Sequence, residues 1–199
     1  PVDMLACSGH KFYAPKGVGA LYVSRRDPRV TLEPLHHGGG HENGLRSGTL
    51  NVPGIVGIGR AAERAGACLA DDAVRWTRLR DKLQGALLND ISGVRVNGPL
   101  EDRLPQTLNV SFENLNVNDL LTRLRDVAVS AGSACQSANP TASHVLKAIG
   151  LSDEAAFGSI RVSLGRFTTE EEVDYAITRI AEAVEEVRSM PEAMRGQLA

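Results

Sequence analysis

The sequence predicts a mixed α/β fold in two unequal parts, and three observations lead there. Apolar runs of strand length recur between stretches whose apolar residues fall at spacings of three and four. The texture changes at Val52, where a glycine-rich opening gives way to a helical pattern. With 42% hydrophobic and 23% charged residues in 199, the chain is composed to bury a core rather than to stay disordered.

The elements follow in order. Asp3-Met4-Leu5-Ala6-Cys7 reads as a short strand, and Gly19-Ala20-Leu21-Tyr22-Val23 as a buried one, ended by the charged turn Arg25-Arg26-Asp27-Pro28. His36-His37-Gly38-Gly39-Gly40-His41-Glu42-Asn43-Gly44 has no periodicity and is a loop. Asn51 ahead of Val52-Pro53 suits a helix cap followed by a first-turn proline. Ile55, Val56, Ile58 and Ala62 begin a helical pattern that Trp76, Leu79, Leu83, Leu87 and Leu88 resume, with Asp71-Asp72 as an expected break. Val94-Arg95-Val96 and Leu108-Asn109-Val110-Ser111-Phe112 read as strands. Leu120, Leu121 and Leu124 share a helical face capped by Asn118. Ser143 to Ile149 is a helix stopped by Gly150, and Ile160-Arg161-Val162-Ser163-Leu164 is a strand. Thr169 with Glu172 forms a capping box that opens an amphipathic helix to about Val187.

Charge and composition exclude several functions. Twenty-two basic against 24 acidic residues argue against a dedicated binder of nucleic acid or acidic membranes. No apolar run approaches the roughly 18–20 residues of a membrane span. Three cysteines do not make a disulfide scaffold, so a reducing, cytoplasmic setting is expected. The chain opens on Pro1 and runs at once into a strand, which predicts a start inside a longer polypeptide.

Four features carry candidate chemistry. Ser8-Gly9-His10-Lys11 places a lysine just after a strand, a setting in which an amine acts as nucleophile, base or cofactor anchor. The alternative is an ordinary solvated lysine. Cys135 lies among the small residues Ala131-Gly132-Ser133-Ala134 and Gln136-Ser137, where a thiolate is accessible; Cys7 and Cys68 read as inert packing residues. The histidines at 36, 37 and 41 are separated by flexible glycines and make a poor metal cage. Their His37-Gly38-Gly39-Gly40 stretch mimics an esterase oxyanion motif, but no Gly-x-Ser-x-Gly elbow accompanies it. Arg161, in an otherwise apolar strand, needs an anion, either a carboxylate of the fold or one of a substrate.

Taken together, these motifs resemble the pyridoxal-phosphate-dependent cysteine desulfurases. The resemblance runs through Ser8-Gly9-His10-Lys11, Pro15-Lys16-Gly17-Val18-Gly19-Ala20-Leu21-Tyr22 and Gly38 to Thr49. It continues through Gly132-Ser133-Ala134-Cys135, Ser143-His144-Val145-Leu146 and Ser159 to Glu172, in order along nearly the whole chain. The stretch from Cys135 to Ser143 is similar to the branch with a long catalytic loop, which holds the nitrogenase-type and iron–sulfur-cluster desulfurases.

The resemblance implies a fold-type I transferase. Residues 1–66 would end the large cofactor domain, and 67–199 would form the small C-terminal α+β domain with the catalytic cysteine loop. By the same resemblance Lys11 holds pyridoxal 5'-phosphate covalently and shuttles protons. Ser8 and His10 bind the cofactor, and Thr49 reaches its phosphate across a homodimer interface. Arg161 clamps the carboxylate of L-cysteine. Cys135 attacks the substrate sulfur and becomes a persulfide, alanine leaves, and an iron–sulfur scaffold or another acceptor protein takes the sulfur. Relatives carry roughly as much chain again before Pro1, including an aspartate for the pyridine nitrogen, so this chain alone is expected to be inactive. Ala14 stands where glycine is common, Ala142 where proline is common, and the tail after Met190 is short for scaffold docking. Two alternatives share the motifs, a selenocysteine lyase-like enzyme and a sulfur-carrier half-protein without cofactor. Cys135 weighs against the first, and Lys11 and Arg161 against the second.

Overall fold

A computed structural model describes residues 2–27, 29–131 and 142–191. The chain divides into two compact units, Pro1–Ala70 and Asp71–Ala199.

In the first unit, β1 (Met4–Ser8) pairs antiparallel with β2 (Gly19–Val23), from Met4 opposite Val23 to Ser8 opposite Gly19. The expected strands form, but β2 is not buried. Met4, Leu5, Leu21 and Tyr22 are each about half exposed. A two-stranded ribbon has two faces and no layer to cover them, and such ribbons have little stability of their own. Past a loop, α1 (Val52–Asp90) starts at Asn51, whose Oδ1 accepts from Gly54 N at 3.1 Å. This is the cap the sequence predicts, with Pro53 in the first turn.

The expected break at Asp71-Asp72 does not occur, because α1 is continuous for 39 residues. Asp72 is instead buried, and it pairs with Arg75 and Arg166. Adjacent acids signal a loop only when both are solvated; here one of them has a partner from far along the chain.

The second unit holds a three-stranded antiparallel sheet in the order β3 (Val94–Val96), β4 (Thr107–Phe112), β5 (Ser159–Ser163). Strand alternation gives it two unlike faces. Leu108, Val110, Phe112, Ile160 and Val162 point into a core shared with Leu79, Leu83 and Leu87 of α1. Leu120 of α2 (Val117–Arg123) and Val173, Ile180, Val184 and Val187 of α5 (Glu170–Ser189) complete it. Thr107, Asn109 and Ser111 of β4 and Ser159, Arg161 and Ser163 of β5 alternate with these residues on the other face.

Local signals set the helix ends. The Thr169 capping box forms as expected. The cap of α2 is Asn116, which accepts from Asn118 N; Asn118 itself lies inside the helix, a correction of two residues. Two short helices, α3 (His144–Ala148) and α4 (Asp153–Phe157), precede β5. The first falls where the sequence predicts, with Gly150 beyond it at φ +93°. The second went unread, since its five residues show no period.

Candidate active site

Lys11 lies in the connection between β1 and β2, on the 3-10 turn Gly9–Phe12. Gly9 N donates to Val18 O at 2.9 Å and Ala14 N to Gly9 O at 3.0 Å, which closes the connection into a tight loop. Gly9 is buried, and a Cβ there would stand 2.9 Å from Ala14 Cβ and 3.0 Å from the Val18 carbonyl oxygen. Only glycine fits that approach, and it fixes where the turn leaves the strand. Ser8, His10 and Lys11 are all exposed, so Lys11 is not at the end of a buried strand. Its amine has no hydrogen bond or ion pair among the described residues.

The glycine-rich loop forms a shallow depression of about 540 Å³, lined by His36, His37, His41, Arg46, Ser47, Thr49 and the glycines Gly38, Gly39 and Gly48. Ser47 Oγ donates to Gly39 O at 2.5 Å, and Arg46 Nη1 donates to Gly48 O at 3.0 Å and Thr49 O at 3.2 Å. These bonds fold the loop back on itself. The lining offers imidazole, guanidinium and hydroxyl groups and contains no carboxylate, a donor set suited to an anion. Among the described residues no group of three or more His, Cys, Asp or Glu could hold a metal ion.

Arg161 occupies the centre of β5, opposite Asn109. It is exposed, and among the described residues it makes no ion pair. Of the two partners the sequence leaves open for it, a carboxylate of the fold is therefore not the one found. Its main chain bonds outward in both directions: Arg161 N donates to Ser130 O at 2.7 Å and Ser130 N to Arg161 O at 3.1 Å. Cys135 lies outside the described residues.

Sequence reasoning missed the groups that hold the end of β5. Arg75 donates to the carbonyls of Arg166 at 2.7 Å, Thr168 at 2.8 Å and Gly165 at 3.3 Å, and Trp76 Nε1 donates to Gly165 O at 2.8 Å. Gly158 precedes β5 at a similar constraint, since a Cβ there would lie 2.5 Å from Phe112 O. The strand bearing Arg161 is thus fixed at both ends. The single tryptophan was the available signal, because an indole N–H near a core seeks an acceptor.

The family profile for aminotransferase class-V matches residues 1–176. The chain belongs to the aminotransferase class-V family. Among class-V relatives, it is 52% identical over 190 residues to "Cysteine desulfurase IscS" of Mannheimia succiniciproducens, covering 96% of this chain and 46% of that one. It is 54% identical over 189 residues to the protein of the same name from Anaeromyxobacter dehalogenans, covering 95% and 46%. A solved "NifS-like protein" superimposes with TM-score 0.80 at 43% identity, over 93% of this chain and 47% of the other. DndA from Streptomyces lividans gives TM-score 0.65 at 41% identity, over 82% and 46%. The α/β fold is thus that of the NifS-like class-V enzymes. The chain spans about half the length of the curated relatives it matches.

Proposed function

We propose that this chain belongs to a cysteine desulfurase, which converts L-cysteine to L-alanine and passes the sulfur to a persulfide on Cys135. The observation that carries the reading is Arg161. It is an exposed guanidinium at the middle of β5, without a carboxylate partner among the described residues, and its main chain is bonded to Ser130, five residues before Cys135 in the chain. A cation so placed binds an anion from outside the fold, and the α-carboxylate of an amino acid fits it.

The residues present fit pyridoxal 5'-phosphate. Lys11 supplies an accessible amine, Ser8 and His10 precede it in the same short segment, and the depression in the loop that ends at Thr49 is lined by anion donors without a carboxylate. In this reading Lys11 holds the cofactor, and Thr49 serves the phosphate of a second copy in a homodimer. When bound, the cofactor withdraws electrons from the substrate's Cα and so weakens the neighbouring C–S bond. Lys11 takes and returns protons at Cα and Cβ. Arg161 fixes the carboxylate and thereby the direction in which the thiol projects. Cys135, as a thiolate, forms a bond to the substrate sulfur as the C–S bond breaks. The electron pair of that bond ends on Cβ, which gains a proton and leaves as the methyl group of alanine.

The persulfide then passes to an iron–sulfur scaffold or another sulfur acceptor. Among the described residues no helix is long and apolar enough to cross a membrane; a cytoplasmic setting is part of this reading. The experiment is single-turnover alanine release by the whole, cofactor-loaded protein with L-cysteine. Lys11→Ala abolishes alanine and Cys135→Ser abolishes the protein-bound persulfide. Arg161→Gln raises KM for L-cysteine by about tenfold to a hundredfold, as loss of a charge-assisted bond does. Persulfide on Cys135→Ser, or an unchanged KM in Arg161→Gln, would overturn the proposal.

A further inference from the structure

The polar face of the second unit's sheet carries a hydrogen-bond chain whose direction is fixed from one end. Ser159 Oγ lies 2.6 Å from the carbonyl of Ala155 in α4. A carbonyl only accepts, so the Ser159 hydroxyl proton is committed there. Asn97 lies 3.2 Å from the same hydroxyl oxygen, which is left to act as acceptor, so the Asn97 atom facing it is Nδ2. That nitrogen also donates to Asn109 at 2.7 Å, so the Asn109 atom facing it is Oδ1. Ser111 Oγ closes the network by donating to Asn97 Oδ1 at 3.0 Å. Asn97, Ser111 and Ser159 are buried, so none of these groups trades its partner for water cheaply.

With Oδ1 held inward, the two N–H donors of Asn109 point the other way. Asn109 Nδ2 has no acceptor among the described residues, and it is not sealed from solvent. Its neighbour on that side is Arg161, the residue directly opposite on β5 and therefore on the same face. The main chain of Arg161 is bonded to Ser130, and the carbonyl of Asn109 accepts from Asn97 N at 2.9 Å. The Asn109–Arg161 pair is thus the non-hydrogen-bonded kind, in which side chains stand closest, with Cβ atoms about 4.5–5.5 Å apart. A fixed amide donor beside an exposed guanidinium is a two-part receptor for one carboxylate.

The geometry points to Asn109 as a second substrate-carboxylate residue, donating through Nδ2 to the group that Arg161 binds, with Asn97 and Ser159 as positioning residues that set its direction. This deepens, and rests on, the reading of Arg161 as the carboxylate-binding residue. It also limits the substrate class, because a ligand with an amine and a thiol but no carboxylate gains nothing from Asn109.

L-cysteine and cysteamine differ by that carboxylate alone. Their dissociation constants are measured by titration calorimetry on the whole, cofactor-loaded protein carrying Cys135→Ser, which prevents turnover. Asn109→Asp keeps the acceptor for Asn97 and replaces the outward donor with an acceptor. It is expected to weaken L-cysteine by about tenfold to a hundredfold and to leave cysteamine within about twofold. Asn97→Asp removes the donor that holds Asn109 Oδ1 and turns the amide round, so it shifts the same ratio in the same direction. Equal weakening of both ligands by Asn109→Asp means a structural role only and overturns the inference, as does unchanged L-cysteine binding. Arg161→Gln separates the two claims. If it weakens L-cysteine and Asn109→Asp does not, Asn109 alone is refuted; if Arg161→Gln leaves L-cysteine unaffected, the reading of Arg161 fails.

Discussion

β2 and β4 are both apolar strands by sequence, and they end in opposite states. In the first unit Leu21 and Tyr22 of β2 are 56% and 52% exposed. In the second, Leu108 and Val110 of β4 are 1% and 0% exposed. Hydrophobicity does not separate Gly-Ala-Leu-Tyr-Val from Thr-Leu-Asn-Val-Ser-Phe. The difference is that α1, α2 and α5 lay a helical layer on one face of the β3–β4–β5 sheet, whereas among the described residues of the first unit β1 and β2 form a two-stranded sheet that leaves Met4, Leu5, Leu21 and Tyr22 half exposed. Burial belongs to the layer that covers a strand, not to the strand. The same contrast separates the candidate chemistry. Arg161 stands on a sheet whose other face is a packed core, and Lys11 stands on a turn that its own loop bonds hold.

Core truncations test the contrast most severely. Ile160 is 0% exposed, so Ile160→Ala should cost about 2–5 kcal/mol in a urea melt. Leu21→Ala in β2 should stay within about 0.5 kcal/mol. Equal costs would show that β2 is packed in solution and would end the comparison.

A smaller effect comes from the cap of α5, which sharpens the contrast because it is local and owes nothing to the core. Thr169 Oγ1 accepts from Glu172 N at 3.2 Å, and Glu172 Oε2 accepts from Thr169 N at 3.0 Å. Thr169→Ala should lower stability by about 1 kcal/mol in the same melt.

The smallest effect is electrostatic. The Tyr175 hydroxyl donates to Asp126 at 2.5 Å and Arg179 Nε donates at 2.9 Å, and together they hold this carboxyl below its ordinary value of 3.8. Because the folded value is the lower one, the stabilisation is fully present above about pH 4 and is lost as pH falls through the depressed value. Asp126 is on the surface, so the expected signal is slight and screened by salt. Acid titration of the melt from pH 5 to 2 should show a shallower loss in Tyr175→Phe than in the parent.

Much of the fold was legible because its signals are local. The Asn51 cap, the Thr169–Glu172 box, Gly150 beyond α3 and the alternation of Leu108, Val110 and Phe112 each lie within a few residues of what they specify. The errors share a cause as well. Asn116 and Asn118 are both good caps, and the backbone of a single turn chose between them. Asp72 looked like a helix end until Arg166, 94 residues away, supplied its partner. Ser8, His10, Lys11, Thr49 and Arg161 are candidates named from their motifs, whereas Arg75 and Asn97 act on backbone or side chains far off in sequence and leave no local mark, and Trp76 leaves only its being a tryptophan.

By itself the sequence determined most of the secondary structure, the family and the residue types available for chemistry, since periodicity, caps and motifs are short-range properties. The tertiary structure alone decided which apolar strands are buried, that Arg161 has no carboxylate of the described fold beside it, and which way the Asn109 amide points. Those outcomes depend on groups brought together from distant parts of the chain, as when the carbonyl of Ala155 fixes a proton on Ser159 and, through Asn97, the direction of Asn109.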